Sequence, residues 1–584
     1  MGVLTLNPGG PTLLKAFFLG APKCSRGTGD HLTESILSVV THYIVASQYC
    51  GLSGDGVYKH TGVPARLDRF FSHKGVFVHD LMHLAALVDT LLRNPKTDHA
   101  ALFAWLNLLT QTIGIAVTFI QWGKTWADYF KLYTEMVEEG REARVLRPKT
   151  FSETKMANHA KDVYSRFREI VPALLITLEE VKLEWSSSGQ SSDGAEKAQK
   201  ANAIMGKVYN ATFLLSLSAL VDIYAVYSRI SNNFQVVNML AFDRKDIFDQ
   251  ELEKMETMIS SVEVADCCCS FFYDYEERVY REDEWGTEKD VELLCQWPVL
   301  HRDIREVLGK SSYRGLPIGC LAEEGSKTRA GADQTRRVMV LDVGKVITTV
   351  NKRAHSVVSF LHSGLTKSVY SSYDVIIINN IRRLLDLKYL VKIVEQYGAA
   401  SVSTTRWRNW LDAAKFFEID LFSRVSADEL RVQFRDFLAR LGKLAPTFVD
   451  LDNTEIFGIF LNPSLPHFKH IESVLGIMAK AALTMGLESV VESWVSVLEH
   501  HNNPQRPLTQ LRLEQEGMIA INGPADVHCD AVVEEALSSY WGKQRMAVNK
   551  GGHWTRRSDN VKSYTISEAV DTIVNRPPSV PFMG

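Results

Sequence analysis

The sequence has no strong net charge, and charged or polar residues interrupt its apolar runs before they reach the length of a bilayer span. Its 65 Lys and Arg residues nearly balance its 69 Asp and Glu residues, so no global basic field indicates nucleic acid as a partner. The first apolar run, residues 13–19, contains Lys15 and is too short to span a membrane. We therefore expect a chain without a membrane partner, and any binding of nucleic acid has to come from local patches.

A cysteine framework is also absent. The eight cysteines include three consecutive ones at residues 267–269, and none of them forms a paired CxxC motif. This pattern is typical of reduced thiols in an intracellular protein, and it predicts no zinc site. No repeat of fixed period occurs. What remains is an ordinary globular composition, 46% hydrophobic and 23% charged, in a chain of 584 residues that is long enough for several domains.

The first 95 residues alternate between strand and helix patterns. Strands are predicted at residues 16–19, 49–52 and 75–78, a helix at about 28–45, and a further helix after Asp80 whose apolar side includes Leu84, Leu87 and Leu91. Such alternation is the signature of a parallel or mixed sheet covered by helices. The predicted fold class is therefore α/β at this end of the chain.

From about residue 97 the pattern becomes helical. Helices are predicted at residues 101–122, 125–139, 153–184, 200–230, 245–262, 347–365, 375–396 and 428–441, with a polar linker at 186–194. We divide the chain into an α/β front part at 1–96, a helical insertion at 97–470, returning helices at 471–540 and a loop-rich basic tail at 541–584. The linker lies inside the insertion.

Two stretches of the front part carry candidate site residues. Residues 51–63, GLSGDGVYKHTGV, place Asp55 in a glycine-flanked turn directly after a strand, and residues 75–87 place His83 one turn into a helix. Open α/β sheets bind ligands at the carboxyl ends of their strands. A Gly-Asp-Gly sequence is more often a simple turn, so the neighbouring segments have to decide its role.

A second acidic candidate lies far along the chain. Residues 488–501, ESVVESWVSVLEHH, have helical periodicity with Val491, Trp494 and Leu498 on the apolar face. A row of glutamates on the other face is usually only a solvated surface. The functional alternative is that Glu492 faces Asp55, so that the two carboxylates bind a divalent metal ion.

These motifs together resemble hAT-superfamily transposase-like proteins. The residues that carry the resemblance are LGAP at 19–22, Thr-Gly-Asp at 28–30, Gly-x-x-x-Asp-Gly-x-Tyr at 51–58, Asp-x-x-His at 80–83, VVESWVSV at 490–497, Arg506, Leu508 and residues 516–522. The resemblance covers both ends of the α/β part, whereas the long helical middle is similar in architecture only.

The resemblance implies a ribonuclease-H-like fold, interrupted by a large helical domain, with an Asp-Asp-Glu triad that holds Mg²⁺ or Mn²⁺. Asp55 matches the second acid, Glu492 the third, and His83 the histidine of a Cys-x-x-His element linked with DNA handling. The family further implies self-association through the carboxy-terminal helices, DNA as a partner, no small-molecule cofactor and a nuclear rather than cytoplasmic location.

The departures from the family pattern lead us to expect loss of strand transfer. No acid on a leading strand precedes Asp55, Asp80 replaces the cysteine of the histidine element, and Ser493 and Trp494 replace an arginine and a phenylalanine. Asp30 lies at a predicted helix cap, so it is not a substitute for the first acid. We expect a transposase-derived, domesticated or truncated protein that retains self-association and needs no metal. The alternatives are an active metal-dependent nuclease whose first acidic strand lies upstream, and a purely helical interaction scaffold.

Overall fold

A computed structural model gives the fold of this chain. It describes residues 2–6, 12–22, 24, 26–44, 48–54, 56–72, 75–93, 100–121, 125–129, 149, 157–187, 192–263, 297–310, 312–314, 316–317, 343–369, 375–417, 425–462 and 470–484. All of them lie in one compact unit, Met1–Val495. The candidate residues Asp55 and Glu492, the returning helices beyond residue 484 and the basic tail lie outside the described residues.

The front part alternates between short strands and helices, as the sequence predicted. In chain order its elements are β1 (Gly2–Leu6), β2 (Leu14–Phe18), α1 (Gly29–Val40), β3 (Gly51–Gly54), α2 (Gly56–His60), α3 (Val63–Phe71), β4 (Val76–His79) and α4 (Leu81–Arg93). The three predicted strands correspond to β2, β3 and β4, whereas the sequence reading missed β1.

The rest of the described chain is almost entirely helical, which confirms the predicted helical middle. Its helices are α5 (Ala104–Ile120), α6 (Ala157–Ser187), α7 (Ser192–Val208), α8 (Ala211–Asn233), α9 (Ala241–Glu263), α10 (Pro298–Lys310), α11 (Val343–Ser368), α12 (Val375–Leu385), α13 (Leu387–Tyr397), α14 (Ala399–Phe417), α15 (Ala427–Leu444), α16 (Asn453–Leu461) and α17 (Glu472–Leu483). Two short strands, β5 (Ser312–Tyr313) and β6 (Leu316–Pro317), follow α10.

The strands of the described chain form three separate pairs. Strands β1 and β2 are antiparallel, β3 and β4 are parallel, and β5 and β6 form a small antiparallel pair. The β3–β4 pair is the one that the strand–helix–strand pattern predicted, because a parallel pair needs a crossover connection and α2 and α3 provide it. Within the described ranges these pairs do not join into one larger mixed sheet.

One hydrophobic core connects most of the described elements. It includes Leu13 of the amino-terminal segment, Val78 of β4, the inward side of α4 and residues of the helices up to Ala482 in α17. A second, small cluster of Tyr49, Val63, Leu67 and Phe71 lies under α3. The core is therefore continuous across residue 96, where the sequence suggested a boundary.

The buried side of α4 differs from the predicted one. Leu81, Met82, Ala85, Val88 and Leu92 are buried, whereas Leu87 and Leu91 are 44% and 47% exposed and Leu84 is only partly buried. Assignment of Leu87 and Leu91 to the buried side was therefore wrong, whereas Leu84 does pack against the core. The helix has apolar residues on both sides, so its periodicity alone did not identify the side that faces the core.

Two predicted helices are each divided in the structure by a capping residue. Asn210 separates α7 from α8 and its side chain accepts a hydrogen bond from Phe213 N, and Asp386 separates α12 from α13 and accepts one from Tyr389 N. Asn and Asp are preferred at this position because the side-chain oxygen satisfies an unpaired backbone N–H. The predicted linker at 186–194 is also shorter, because α6 extends to Ser187 and α7 begins at Ser192.

Helix α8 is long and apolar enough to cross a membrane by length and composition. However, 89% of its apolar window is buried inside the protein, so the helix forms part of the described core. It also carries Asp222, whose buried carboxylate accepts a hydrogen bond from the backbone N–H of Leu300 in α10. Among the described helices no other one passes the same test.

Candidate functional site

The carboxyl ends of β3 and β4 lie side by side. Their parallel register runs from Gly51 beside Val76 to Gly54 beside His79, and Asp80 N donates a hydrogen bond to Gly54 O at 3.0 Å. The end of β3, at Gly54, therefore lies beside Asp80, the first residue of the Asp-x-x-His motif. Asp55 itself lies outside the described residues, between Gly54 at the end of β3 and Gly56 at the start of α2.

Glycine is required at position 54 by close packing. A Cβ atom there would lie 2.7 Å from the ring of Tyr58 in α2, closer than real Cβ contacts. The missing side chain at Gly54 thus allows Tyr58 of α2 to pack directly against the end of β3. The structure explains the glycine by packing, and this packing fixes the backbone on both sides of Asp55.

Asp80 is buried and holds the first turn of α4. Its Oδ1 accepts a hydrogen bond from Met82 N at 3.1 Å, and its backbone oxygen accepts one from Leu84 N at 3.1 Å. Asp80 was predicted to cap this helix, and the structure confirms it. The carboxylate thus satisfies one of the backbone donors that have no partner within the helix.

His83, the third candidate residue, lies one turn into α4 and is partly exposed. It follows Asp80 on the helix that begins at the ends of the paired strands, as its motif predicted. In the part of the chain that the structure describes, no group of three or more His, Cys, Asp or Glu side chains is arranged to hold a metal ion. The described residues around His83 therefore form no metal cage.

The crossover between β3 and β4 is held by a tyrosine–aspartate contact. Tyr49 OH donates a hydrogen bond to Asp68 Oδ1 at 3.1 Å, and the same oxygen accepts one from Gly75 N at 2.9 Å. The Tyr49 ring stacks on Phe71, with centroids 4.8 Å apart. Burial, followed by the nearby Asp68 carboxylate, raises the pKa of Tyr49 well above its usual value. Tyr49 therefore stays a neutral donor that fixes α3 to the strand pair.

Asp30 is engaged away from the strand ends. It lies in the first turn of α1, and its Oδ1 pairs with Arg66 Nε of α3 at 2.7 Å. Asp30 was predicted to lie at the cap of this helix; in the structure the N-cap residue is Thr28 and Asp30 follows it in the first turn. The ion pair joins two helices of the crossover region and leaves Asp30 largely exposed.

Helix α4 is tied to the helical core by two tyrosines of α8. Tyr224 OH donates to Asp89 Oδ1, and Tyr227 OH donates to the backbone oxygen of Ala85. Asp89 also pairs with Arg93 on its own helix. The helix that carries His83 is therefore held by buried polar contacts as well as by apolar packing.

A second buried network, which the sequence did not reveal, joins α6, α8 and α10. The Arg168 guanidinium contacts both carboxylate oxygens of Asp303, and Ser218 Oγ donates to Asp303 Oδ2. The Ser218 hydroxyl also lies 3.1 Å from Tyr313 OH. Arg168 and Asp303 are almost fully buried, so each needs the other to remain charged inside the protein.

Two further aspartates, the buried Asp222 and the partly buried Asp243, lie at helix starts. Asp222 accepts hydrogen bonds from Leu300 N at 2.8 Å and Val299 N at 3.2 Å, and burial nevertheless raises its pKa to about 7. Asp243 accepts a bond from Asn453 Nδ2 at 3.2 Å, and burial together with the charges of neighbouring aspartates raises its pKa to about 6. Both groups join helices that are far apart in sequence.

The sequence contained one usable signal for these networks. Asp222 is the only acidic residue in α8, a helix whose residues are mostly apolar, and a carboxylate buried in such a helix needs hydrogen-bond partners. The identity of its partners could not be predicted, because Val299 and Leu300 lie 77 and 78 residues further along the chain. These contacts join helices of the described core.

Comparison with known proteins adds no assignment for this chain. No protein-family profile matches the sequence, and none of the curated proteins matches it significantly.

Proposed function

We propose that this chain is transposase-derived, that it does not catalyse strand transfer, and that it retains self-association and DNA binding. The proposal combines the hAT-like motifs of the sequence with one structural observation. Gly54, which ends the strand before Asp55, accepts a hydrogen bond from Asp80, which opens the Asp-x-x-His element. Motifs about 25 residues apart in sequence therefore belong to one edge of a parallel strand pair.

The surrounding architecture supports the same proposal. A ribonuclease-H-like core with a helical insertion requires a parallel strand pair followed by an extended helical region, and both are present in the described chain. The shared core and the Asp89–Tyr224 contact fix α4 against the inserted helices. We propose in addition that the fold includes a wider mixed sheet and a returning helix that carries Glu492.

Loss of strand transfer follows from the carboxylates that match the family triad. Asp55 and Glu492 are the only two matched acids, and two-metal chemistry needs carboxylates that clamp both ions about 3.5–4 Å apart. Two carboxylates completed by water would hold a single Mg²⁺ or Mn²⁺ ion weakly. Asp80 does not supply the missing ligand, because it caps α4.

A plasmid-nicking assay tests the loss of catalysis. The purified full chain is incubated with supercoiled DNA and Mg²⁺ or Mn²⁺, beside the Asp55→Ala and Glu492→Ala variants. We expect all three proteins to leave the plasmid supercoiled to the same extent. Robust cleavage by the parent chain that disappears in both variants would contradict the proposal and favour an active nuclease.

Self-association and DNA binding need a separate measurement. Light scattering during size-exclusion chromatography should give a mass of at least two chains. Trp494→Glu, on the predicted apolar face of residues 488–501, should lower that mass. Fluorescence anisotropy with duplex DNA should show an affinity that falls steeply with salt, because Lys and Arg contacts to phosphate release counterions. A monomeric chain that does not bind DNA would contradict both the proposed self-association and the proposed DNA binding.

A helical interaction scaffold is the second candidate, and the predominance of helices in the described chain favours it. It predicts self-association without any salt-dependent binding of DNA. The same two measurements therefore separate it from the transposase-derived protein.

A further inference from the structure

Helix α5 has an exposed side without charge. None of its 17 residues, AWLNLLTQTIGIAVTFI, is acidic, basic or histidine. One side, including Leu106, Leu109, Ile113 and Val117, is buried in the core. The opposite side exposes Leu108 and Ile115, which are 44% and 54% accessible. Solvated helix faces normally carry charged residues, so this surface has the composition of an interface.

The exposed residues of α5 follow the spacing of a helix–helix seam. Ala104, Leu108, Gln111, Ile115 and Thr118 are all exposed and lie four, three, four and three residues apart. This is the spacing with which one helix packs lengthwise against another. Gly114 lies beside the seam, and a Cβ atom there would meet nothing within 4 Å, so a partner backbone has room to approach. We name these five residues the α5 seam.

We propose that the α5 seam binds the α5 seam of a second copy of this chain, with the two helices antiparallel about a two-fold axis at Gln111. This arrangement places Leu108 against the partner's Ile115 and Ala104 against the partner's Thr118. It also brings the two Gln111 amides together, and each amide can donate one hydrogen bond and accept another. In this arrangement large side chains face large ones and small side chains face small ones. The Gln111 amide faces the Gln111 amide of the second copy.

Charge and length favour a second copy over other occupants. A charged partner surface would find no opposite charge on α5 and would lose hydration without compensation. Helices that lie in a membrane surface usually carry Lys or Arg on their polar side, and α5 carries none. The helix is about 26 Å long, shorter than the apolar thickness of a bilayer, and one side is already buried.

The size of the seam sets the expected strength. Its first and last residues are about 21 Å apart along the helix, so the contact is smaller than a standard protein interface. We therefore expect association at micromolar concentrations of chain. This inference is independent of the proposed transposase ancestry, because it depends only on the exposed residues of α5.

Sedimentation of the full chain over a range of concentrations tests the proposal. The parent protein should show reversible association, and Leu108→Glu should weaken it by at least roughly tenfold, because two carboxylates become buried without a partner. Leu183→Glu is the matched control: Leu183 is also on a helix, α6, and is 61% exposed, so its change should leave association unaltered. Equal association of parent and Leu108→Glu overturns the proposal.

A charge-swap variant tests the antiparallel orientation. In the double variant Leu108→Glu/Ile115→Lys, each new Glu faces a new Lys across the two-fold axis, so association should recover relative to Leu108→Glu alone. A parallel pair would instead place like charges together and remain dissociated. Failure of the double variant to recover therefore overturns the antiparallel arrangement.

Cross-linking provides a test that does not depend on destabilising changes. Gln111→Cys places one thiol of each copy at the axis, and mild oxidation should give a covalent dimer joined through position 111, identified by peptide mapping. Leu183→Cys and the parent chain control for random contacts and for the eight native cysteines. Absence of the 111–111 cross-link, or equal cross-linking of the control, contradicts the proposed seam. A carboxy-terminal dimer would respond to Trp494→Glu and would not give this cross-link.

Discussion

The Asp222 carboxylate of α8 accepts a hydrogen bond from the backbone N–H of Leu300, at 2.8 Å, in the first turn of α10. Val299 N donates to the same carboxylate, so one buried aspartate satisfies two otherwise unpaired donors at a helix start. The helix dipole also favours a negative charge in this position. Burial opposes that charge more strongly, and the pKa of Asp222 is raised to about 7.

We predict that the folded chain becomes less stable as the pH rises from 6 to 8. The pKa of Asp222 is about 7 when folded, against about 3.9 for an unperturbed aspartate, so the folded state retains a proton that the unfolded state releases. Such stabilisation is complete below the unfolded pKa and is lost as the pH passes the folded pKa. The expected loss is about 1.4 kcal/mol between pH 6 and pH 8, measured by chemical denaturation.

The variant Asp222→Asn isolates this contribution. Its amide oxygen can still accept from Leu300 N but does not titrate in this range, so the difference in stability between the parent and the variant should change with pH. A difference that is constant from pH 6 to pH 8 shows that Asp222 is not the titrating group. Asp243, with a pKa of about 6, loses most of its contribution at lower pH.

We predict that Asp303→Asn strongly destabilises the fold. The change leaves the Arg168 guanidinium buried without its counter-ion, and breaking a buried pair in this way costs about 3–5 kcal/mol. The lost free energy of unfolding should be visible in urea denaturation. The double variant Arg168→Met/Asp303→Leu, which removes both charges, should be less destabilised than Asp303→Asn.

A surface ion pair provides the control for that prediction. Lys200 and Glu196 pair at 2.5 Å on α7, and both side chains are largely exposed. Glu196→Gln should therefore leave the denaturation midpoint unchanged, because solvent screens exposed pairs. If Asp303→Asn is equally neutral, the buried network does not stabilise the described core.

A third prediction concerns Gly29, at the start of α1. A Cβ atom at this position would lie 2.0 Å from the backbone oxygen of Thr61, so Gly29→Ala must displace α1 from α3. We expect a loss of about 1–3 kcal/mol and faster hydrogen exchange of amides in both helices. Gly27→Ala is the control, because a Cβ there meets nothing within 4 Å. Similar exchange in the two variants argues against this packing.

Local patterns predicted the order of elements well and the buried sides less well. Glycine-bounded apolar segments identified β3 and β4, and Asp80 correctly marked the start of α4. The side of α4 was misassigned, because Leu87 and Leu91 have the same spacing as Val88 and Leu92 and only tertiary packing distinguishes them. Periodicity fixes which residues share a side, whereas the position of the core depends on neighbouring elements.

The candidate site could be predicted only in part for a related reason. Asp55 and His83 belong to one strand–helix–strand unit, and a crossover rule brings the ends of that unit together. Glu492 is separated from Asp55 by more than four hundred residues, and its proximity rests on the family resemblance. The buried partners of Asp222 and Arg168 also lie far along the chain from these residues, so no local sequence pattern could predict them.

The most direct test of the central claim is a cross-link between positions 55 and 492 of the full chain. The variant Asp55→Cys/Glu492→Cys is treated with a bismaleimide whose spacer matches the distance between two carboxylates that bind the same pair of metal ions. The treatment should give an intramolecular cross-link, which peptide mapping locates. Asp55→Cys combined with Leu183→Cys is the control pair. A 55–492 cross-link in the monomeric fraction is the predicted result. Its absence, while both thiols remain reactive with a single maleimide, would contradict a ribonuclease-H-like arrangement of these two acids.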